Sequence, residues 1–101
     1  YKIIEMNSNI RSLCIPRIES SISKEYILTI LNKLDVGYIH KIYENPLRND
    51  TTKKRIIIQI KWYNNTRSAM IQEELKTNKN IKLVYNMPWY WKIFITEYQT
   101  K

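Results

Sequence analysis

A chain of 101 residues suits one domain with a single two-layer core and is too short for two. Seventeen Lys and Arg against nine Asp and Glu leave a formal charge of +8, which favours polyanionic partners, nucleic acid before an anionic membrane surface. One Cys and one His exclude an internal disulfide and a Cys/His zinc site. No apolar run approaches the roughly 20 residues of a membrane-spanning helix, and the N-terminus lacks the apolar core of a signal peptide. A soluble intracellular protein is expected, in cytoplasm or nucleus, with no metal, cofactor or membrane partner. The chain opens on Tyr1 rather than Met, as an excised or processed piece of a longer protein would.

Residues 1–10 read as an arm or edge strand ending in the polar run Asn7, Ser8 and Asn9. A first strand follows in the alternating run from Arg11 to Ile18, with Leu13 and Ile15 on one parity, Cys14 on the other, and Pro16 expected to end it. The clearest helix spans residues 24–34. Ser23 is its N-cap, Glu25 lies in its first turn, and Ile27, Ile30, Leu31 and Leu34 recur at i, i+3, i+4 and i+7. Ile22 stands where a hydrophobic staple would fold back. Gly37, the only glycine, is expected to make the turn out of this helix.

Residues 38–43 read as a second strand and 44–52 as a long, mobile polar loop with Arg48 at its tip. The third strand, residues 53–63, is β-branched and entered through Lys53, Lys54 and Arg55. A pleated strand sends alternate side chains to opposite faces. Ile56, Ile58, Ile60 and Trp62 therefore enter a core, while Arg55, Ile57, Gln59 and Lys61 form a basic, partly apolar surface. Asn64, Asn65 and Thr66 start a second helix over residues 67–76, whose buried stripe is Ser68, Ile71 and Leu75. A short strand over 81–85, a turn at Asn86, Met87 and Pro88, and a last strand over 90–97 with Trp91, Ile93 and Ile95 on one parity complete the chain.

This βαββαβ order over residues 11–98 resembles the RNA-recognition-motif family, a ferredoxin-like α+β sandwich with two helices on one face of a four-stranded antiparallel sheet. The carrying residues are the capped helix from Ile22 through Leu34 and the run Gly37, Tyr38, Ile39, His40, Lys41 and Ile42, which is similar to the family's second strand. Residues 13–18 fall at its hexamer motif and 55–62 at its octamer motif. The resemblance implies the fold, to which this chain adds the short strand over 81–85 before the last and a tail over 99–101. It also implies RNA binding through exposed aromatics on the sheet, since base stacking is worth about 1 to 3 kcal/mol per base. This chain departs from that pattern: the three stacking positions hold Cys14, Ile57 and Gln59. Arg55 matches the octamer's opening cation and Trp62 its closing, core-facing aromatic. The run Leu13 to Pro16 and the end Pro88 to Lys92 also look like small proteins of giant DNA viruses, with which a bias to the A/T-rich codons of Ile, Lys and Asn agrees.

The expected function is a non-enzymatic nucleic-acid-binding module, single-stranded RNA first and single-stranded DNA second. Its contacts would be phosphate contacts from Arg55, Lys61, Lys92, Lys53, Lys54 and Arg48, with Gln59 beside them and Trp89, Tyr90 and Phe94 as the remaining stacking candidates. The alternative is a protein-interaction or homodimerising module built on an apolar patch of Ile57, Cys14, Phe94 and Trp89. Catalysis has no support: His40 lacks a nearby partner, Cys14 lacks a His or Asp in its segment, and adjacent Glu73 and Glu74 point apart on a helix.

Overall fold

The computed structural model of the chain describes residues 10–96. Its elements are β1 (Ile10–Glu19), α1 (Lys24–Leu34), β2 (Gly37–Pro46), β3 (Lys53–Trp62), α2 (Thr66–Asn78), β4 (Asn80–Asn86) and β5 (Trp89–Thr96). The protein is α+β, with an open antiparallel sheet ordered β2-β3-β1-β5-β4. A sheet of four strands with a short extra strand before the last was the expectation. That extra strand, β4, is a full member of the sheet and runs along the outer edge of β5, so the sheet has five. The expected tail over 99–101 and all of the expected arm except Ile10, which opens β1, lie outside the described residues.

One buried cluster joins one face of the sheet to both helices. It holds Leu13, Ile15 and Ile18 of β1, Ile56, Ile58 and Ile60 of β3, and Ile81, Leu83, Trp91 and Ile93 of the β4–β5 hairpin, meeting Ile27, Ile30 and Leu31 of α1 and Leu75 of α2. Helix α1 has the predicted bounds because its signals are local: the Ser23 hydroxyl accepts from the Tyr26 amide at 3.0 Å, and Ile22 packs beside the core. Helix α2 is capped by Asn65, whose side chain accepts from the Ser68 amide at 2.7 Å, and its buried stripe is Ser68 and Leu75 with Ile71 half-buried. Trp91 is buried and stacks on Tyr85 with centroids 4.4 Å apart, whereas Trp62 is half-buried at the margin of the core.

Three local expectations are corrected. Pro16 does not end β1, because the pairing with β3 shifts between Ile15 and Ile18, and a bulge holds the residue that has no N–H to give. Gly37 does not make the turn out of α1. Asp35 does, with φ 57° and ψ 45°, its amide donating to the Asn32 carbonyl at 3.1 Å. Gly37 instead opens β2 where a Cβ would stand 2.7 Å from the Ile60 side chain and 2.8 Å from the Lys61 carbonyl oxygen, so glycine is required by close approach. The connection between β2 and β3 is also shorter than expected, residues 47–52, and it is pinned to the chain after β1. Ser20 donates to it twice, from its amide to the Thr52 carbonyl at 2.8 Å and from its hydroxyl to the Thr51 carbonyl at 2.9 Å.

Candidate functional site

The second face of the sheet carries neither described helix. Register fixes what stands on it. One row across the strands is Tyr43, Ile57, Cys14, Phe94 and Asn80; the next is Lys41, Gln59, Ser12 and Thr96. Tyr38 lies opposite Lys61, Asn45 opposite Arg55, and Lys82 opposite Lys92. Five cations, Lys41, Arg55, Lys61, Lys82 and Lys92, thus share a face on which these rows include no carboxylate. β3 and β5, which carry three of them, flank β1 directly.

Aromatic rings are interleaved with this charge. The Lys41 ammonium lies 5.7 Å from the Tyr43 ring centroid and that of Lys82 lies 5.1 Å from Tyr90. Tyr90 is a stacking candidate on sequence grounds, whereas sequence reasoning missed Tyr43, Lys41 and Lys82. In β2 the reason is a register shift between Ile39 and Lys41, which turns Ile39 and Ile42 toward the same side although their parities differ, and so leaves Lys41 and Tyr43 on the open face. Lys82 stands opposite Lys92 and required only that β4 be read as a sheet member.

The predicted residues divide. Arg55 and Lys92 are exposed on the open face, with Gln59 and Lys61 half-buried beside them. Phe94 is half-buried there, opposite Cys14. Lys53 stands at the loop end of the same face and is ion-paired to Glu19. Lys54 is elsewhere: it points to the helix side, is 7% exposed, and donates to the Ile22 carbonyl at 2.5 Å and to Glu44 Oε1 at 2.6 Å. Arg48 is exposed in the 47–52 loop. Trp89 is 63% exposed but has the parity of Trp91 and Ile93, so it stands at the hairpin end of the helix side, apart from Phe94. Of the four residues of the expected apolar patch, Ile57 and Cys14 are only 2% and 6% exposed, and Trp89 is on the other side.

Electrostatics at two points tie the site together. Burial raises the Cys14 thiol above its ordinary pKa, opposed by the charge of Arg55 and by a hydrogen bond from it. At the loop, the Thr52 hydroxyl and amide donate to Asp50 Oδ1 and hold this carboxyl below its ordinary range, with Arg17 and Lys53 adding to the effect. Arg17 Nη2 is 3.0 Å from Asp50 Oδ2, so the loop is fastened to the bulge of β1. Among the described residues no three of His, Cys, Asp and Glu gather as a metal-holding group, and no helix is long and apolar enough to cross a membrane. The chain matches no family model, no curated protein and no solved structure.

Proposed function

We propose that this chain is a ferredoxin-like, RNA-recognition-motif-like module that binds nucleic acid without catalysis, single-stranded RNA first. The ferredoxin-like part rests on β1 lying between β3 and β5, with β2 outside β3 and each helix joining two strands of the sheet; β4 is then an addition at the edge. The observation that carries the function is the open face itself, where Lys41, Arg55, Lys61, Lys82 and Lys92 stand among Tyr38, Tyr43, Tyr90 and Phe94, and the carboxylate of Glu19 is confined to the loop end, paired with Lys53. Phosphate contacts require positive charge within reach, and exposed rings accept any base. The family's three stacking positions remain non-aromatic, yet Tyr43 and Phe94 stand at either side of Ile57 and Cys14 in one row. They are three strand spacings apart, about 14 Å.

Binding of labelled short RNA tests this reading. With about three phosphates neutralised, the affinity for a single strand falls about twentyfold between roughly 50 and 200 mM salt. The double charge reversal R55E/K61E keeps its unfolding midpoint and loses binding at least about tenfold at low salt. If that variant bound RNA as the parent does, the proposal would be wrong.

A further inference from the structure

The geometry points to a single-nucleotide subsite in the cleft between β1 and β5, where a base of a single strand stacks on the Tyr90 ring and its phosphate meets Lys92. This rests on the nucleic-acid-binding reading above and specifies where a base, and not only backbone, is held. β1 and β5 pair only from Ser12 to Cys14. Beyond Cys14 the pairing with β5 stops, the bulge at Pro16 and Arg17 follows, and Pro16 has no N–H with which to rejoin a ladder. The parting leaves a cleft of about 290 Å³ lined by Pro16, Arg17, Tyr90, Trp91, Lys92 and Phe94.

Tyr90 is the ring best placed to use that cleft. It is 44% exposed, and β5 lies between β4 and β1. Lys82 comes from the β4 side and holds its ammonium 5.1 Å from the ring centroid, while Pro16 and Arg17 come from the β1 side. The ring thus has a cation beside it from β4 and lines the cleft together with Pro16 and Arg17 of β1. Lys92, two residues on along the same face, supplies a charge for the phosphate, and Arg17 is kept at the rim by Asp50. A ring, a cation and a space of this size recognise a nucleotide whose base is free to leave its neighbours, which a duplex does not offer.

The test compares a short oligouridylate, an abasic strand of equal length and a duplex, each labelled and titrated against the parent protein, Y90F and Y90A. The parent and Y90F bind the base-bearing strand about fivefold or more tighter than the abasic one, the low end of a base–aromatic stack. Y90A binds the oligouridylate about fivefold or more weaker than the parent and the abasic strand as the parent does, and the duplex is weaker than the oligouridylate for the parent. In the parent, the Tyr90 ring protons shift with oligouridylate and not with the abasic strand, a measurement that does not require Y90A to fold. Discrimination unchanged in Y90A, absent in the parent, or unaccompanied by the Tyr90 shift overturns the subsite. If R55E/K61E still abolishes binding in those cases, the module stands without it. A parent protein that binds none of the three strands removes both.

Discussion

The two faces of β3 are made by alternate residues of one strand and have opposite physics. On the helix side Ile56, Ile58 and Ile60 are exposed to 1% or less, packed beneath α1 and α2. On the other side Arg55 is exposed, Gln59 and Lys61 are half-buried, and Ile57 is covered without any described helix above it. The difference separates two kinds of burial. Ile58 is enclosed by a second layer, whereas Ile57 lies in a row between Tyr43 and Cys14 on a single sheet surface. It also shows that a run of charge in the sequence need not be a patch in space. Of Lys53, Lys54 and Arg55, the first is ion-paired across to Glu19, the second is buried on the helix side, and only the third is an exposed cation of the open face.

The largest effect expected from this contrast is on stability. I58A removes a branched side chain from a two-layer core that cannot close around the loss, and should cost about 2 to 5 kcal/mol. I57A removes the same atoms where neighbouring side chains and water can fill the space, and should cost less than about half as much. Urea unfolding of both variants measures the difference. Equal costs would mean that the open face is packed as a core is, and the distinction between the faces would fail.

Next in size is the pair Lys54 and Arg55. K54M keeps the aliphatic stem but leaves the Ile22 carbonyl and Glu44 without their donor. Glu44 is a third exposed, so water recovers part of the loss, and a cost of about 2 kcal/mol lies between the surface and buried limits for such a pair. R55M changes the unfolding free energy by less than about 0.5 kcal/mol. The order reverses for RNA: R55M weakens binding and K54M leaves it unchanged. A K54M protein that is fully stable but deficient in binding would put Lys54 on the wrong side of this comparison.

The sequence carried the helix side of this molecule well because its signals are local. A cap, a staple and a 3.6-residue period fixed α1, and strict alternation fixed the two faces of β3. The open face was legible only where alternation was unbroken. Arg55, Ile57, Gln59 and Lys61 were read correctly onto it, but Tyr43 and Lys41 were not, because a bulge in β2 re-aims them and no residue of β2 announces it. Pro16 misled for the same reason: its missing N–H ends a ladder in general but is harmless at a bulge, and bulges depend on the partner strand. Gly37 misleads because a lone glycine past a helix end suggests the turn, whereas an Asp can adopt the left-handed conformation and the glycine is required by the close approach of Ile60 and the Lys61 carbonyl. Lys54 is not separable from its neighbours by sequence, because a charge run suggests solvent and its two acceptors, Glu44 and the Ile22 carbonyl, come from distant positions in the chain.

The smallest effect tests how the open face covers its own centre. Cys14 is opposite Ile57 on one side and Phe94 on the other, and burial raises its thiol pKa while Arg55 acts to lower it. Burial is the larger influence, so the folded thiol is a weaker acid than the unfolded one, with its ordinary 9.0. The sign for stability follows: the neutral thiol contributes below that ordinary value, and the contribution is lost as pH rises from there through the folded value. The same protonation suppresses chemistry, since only the thiolate is the nucleophile. At about pH 8, iodoacetamide should therefore modify Cys14 in the native protein at least about tenfold more slowly than in the urea-unfolded chain. Alkylation at the unfolded rate would mean that the centre of the open face admits solvent freely, and that Ile57 and Cys14 belong with Arg55 and Lys92 as accessible surface rather than as a covered seam between them.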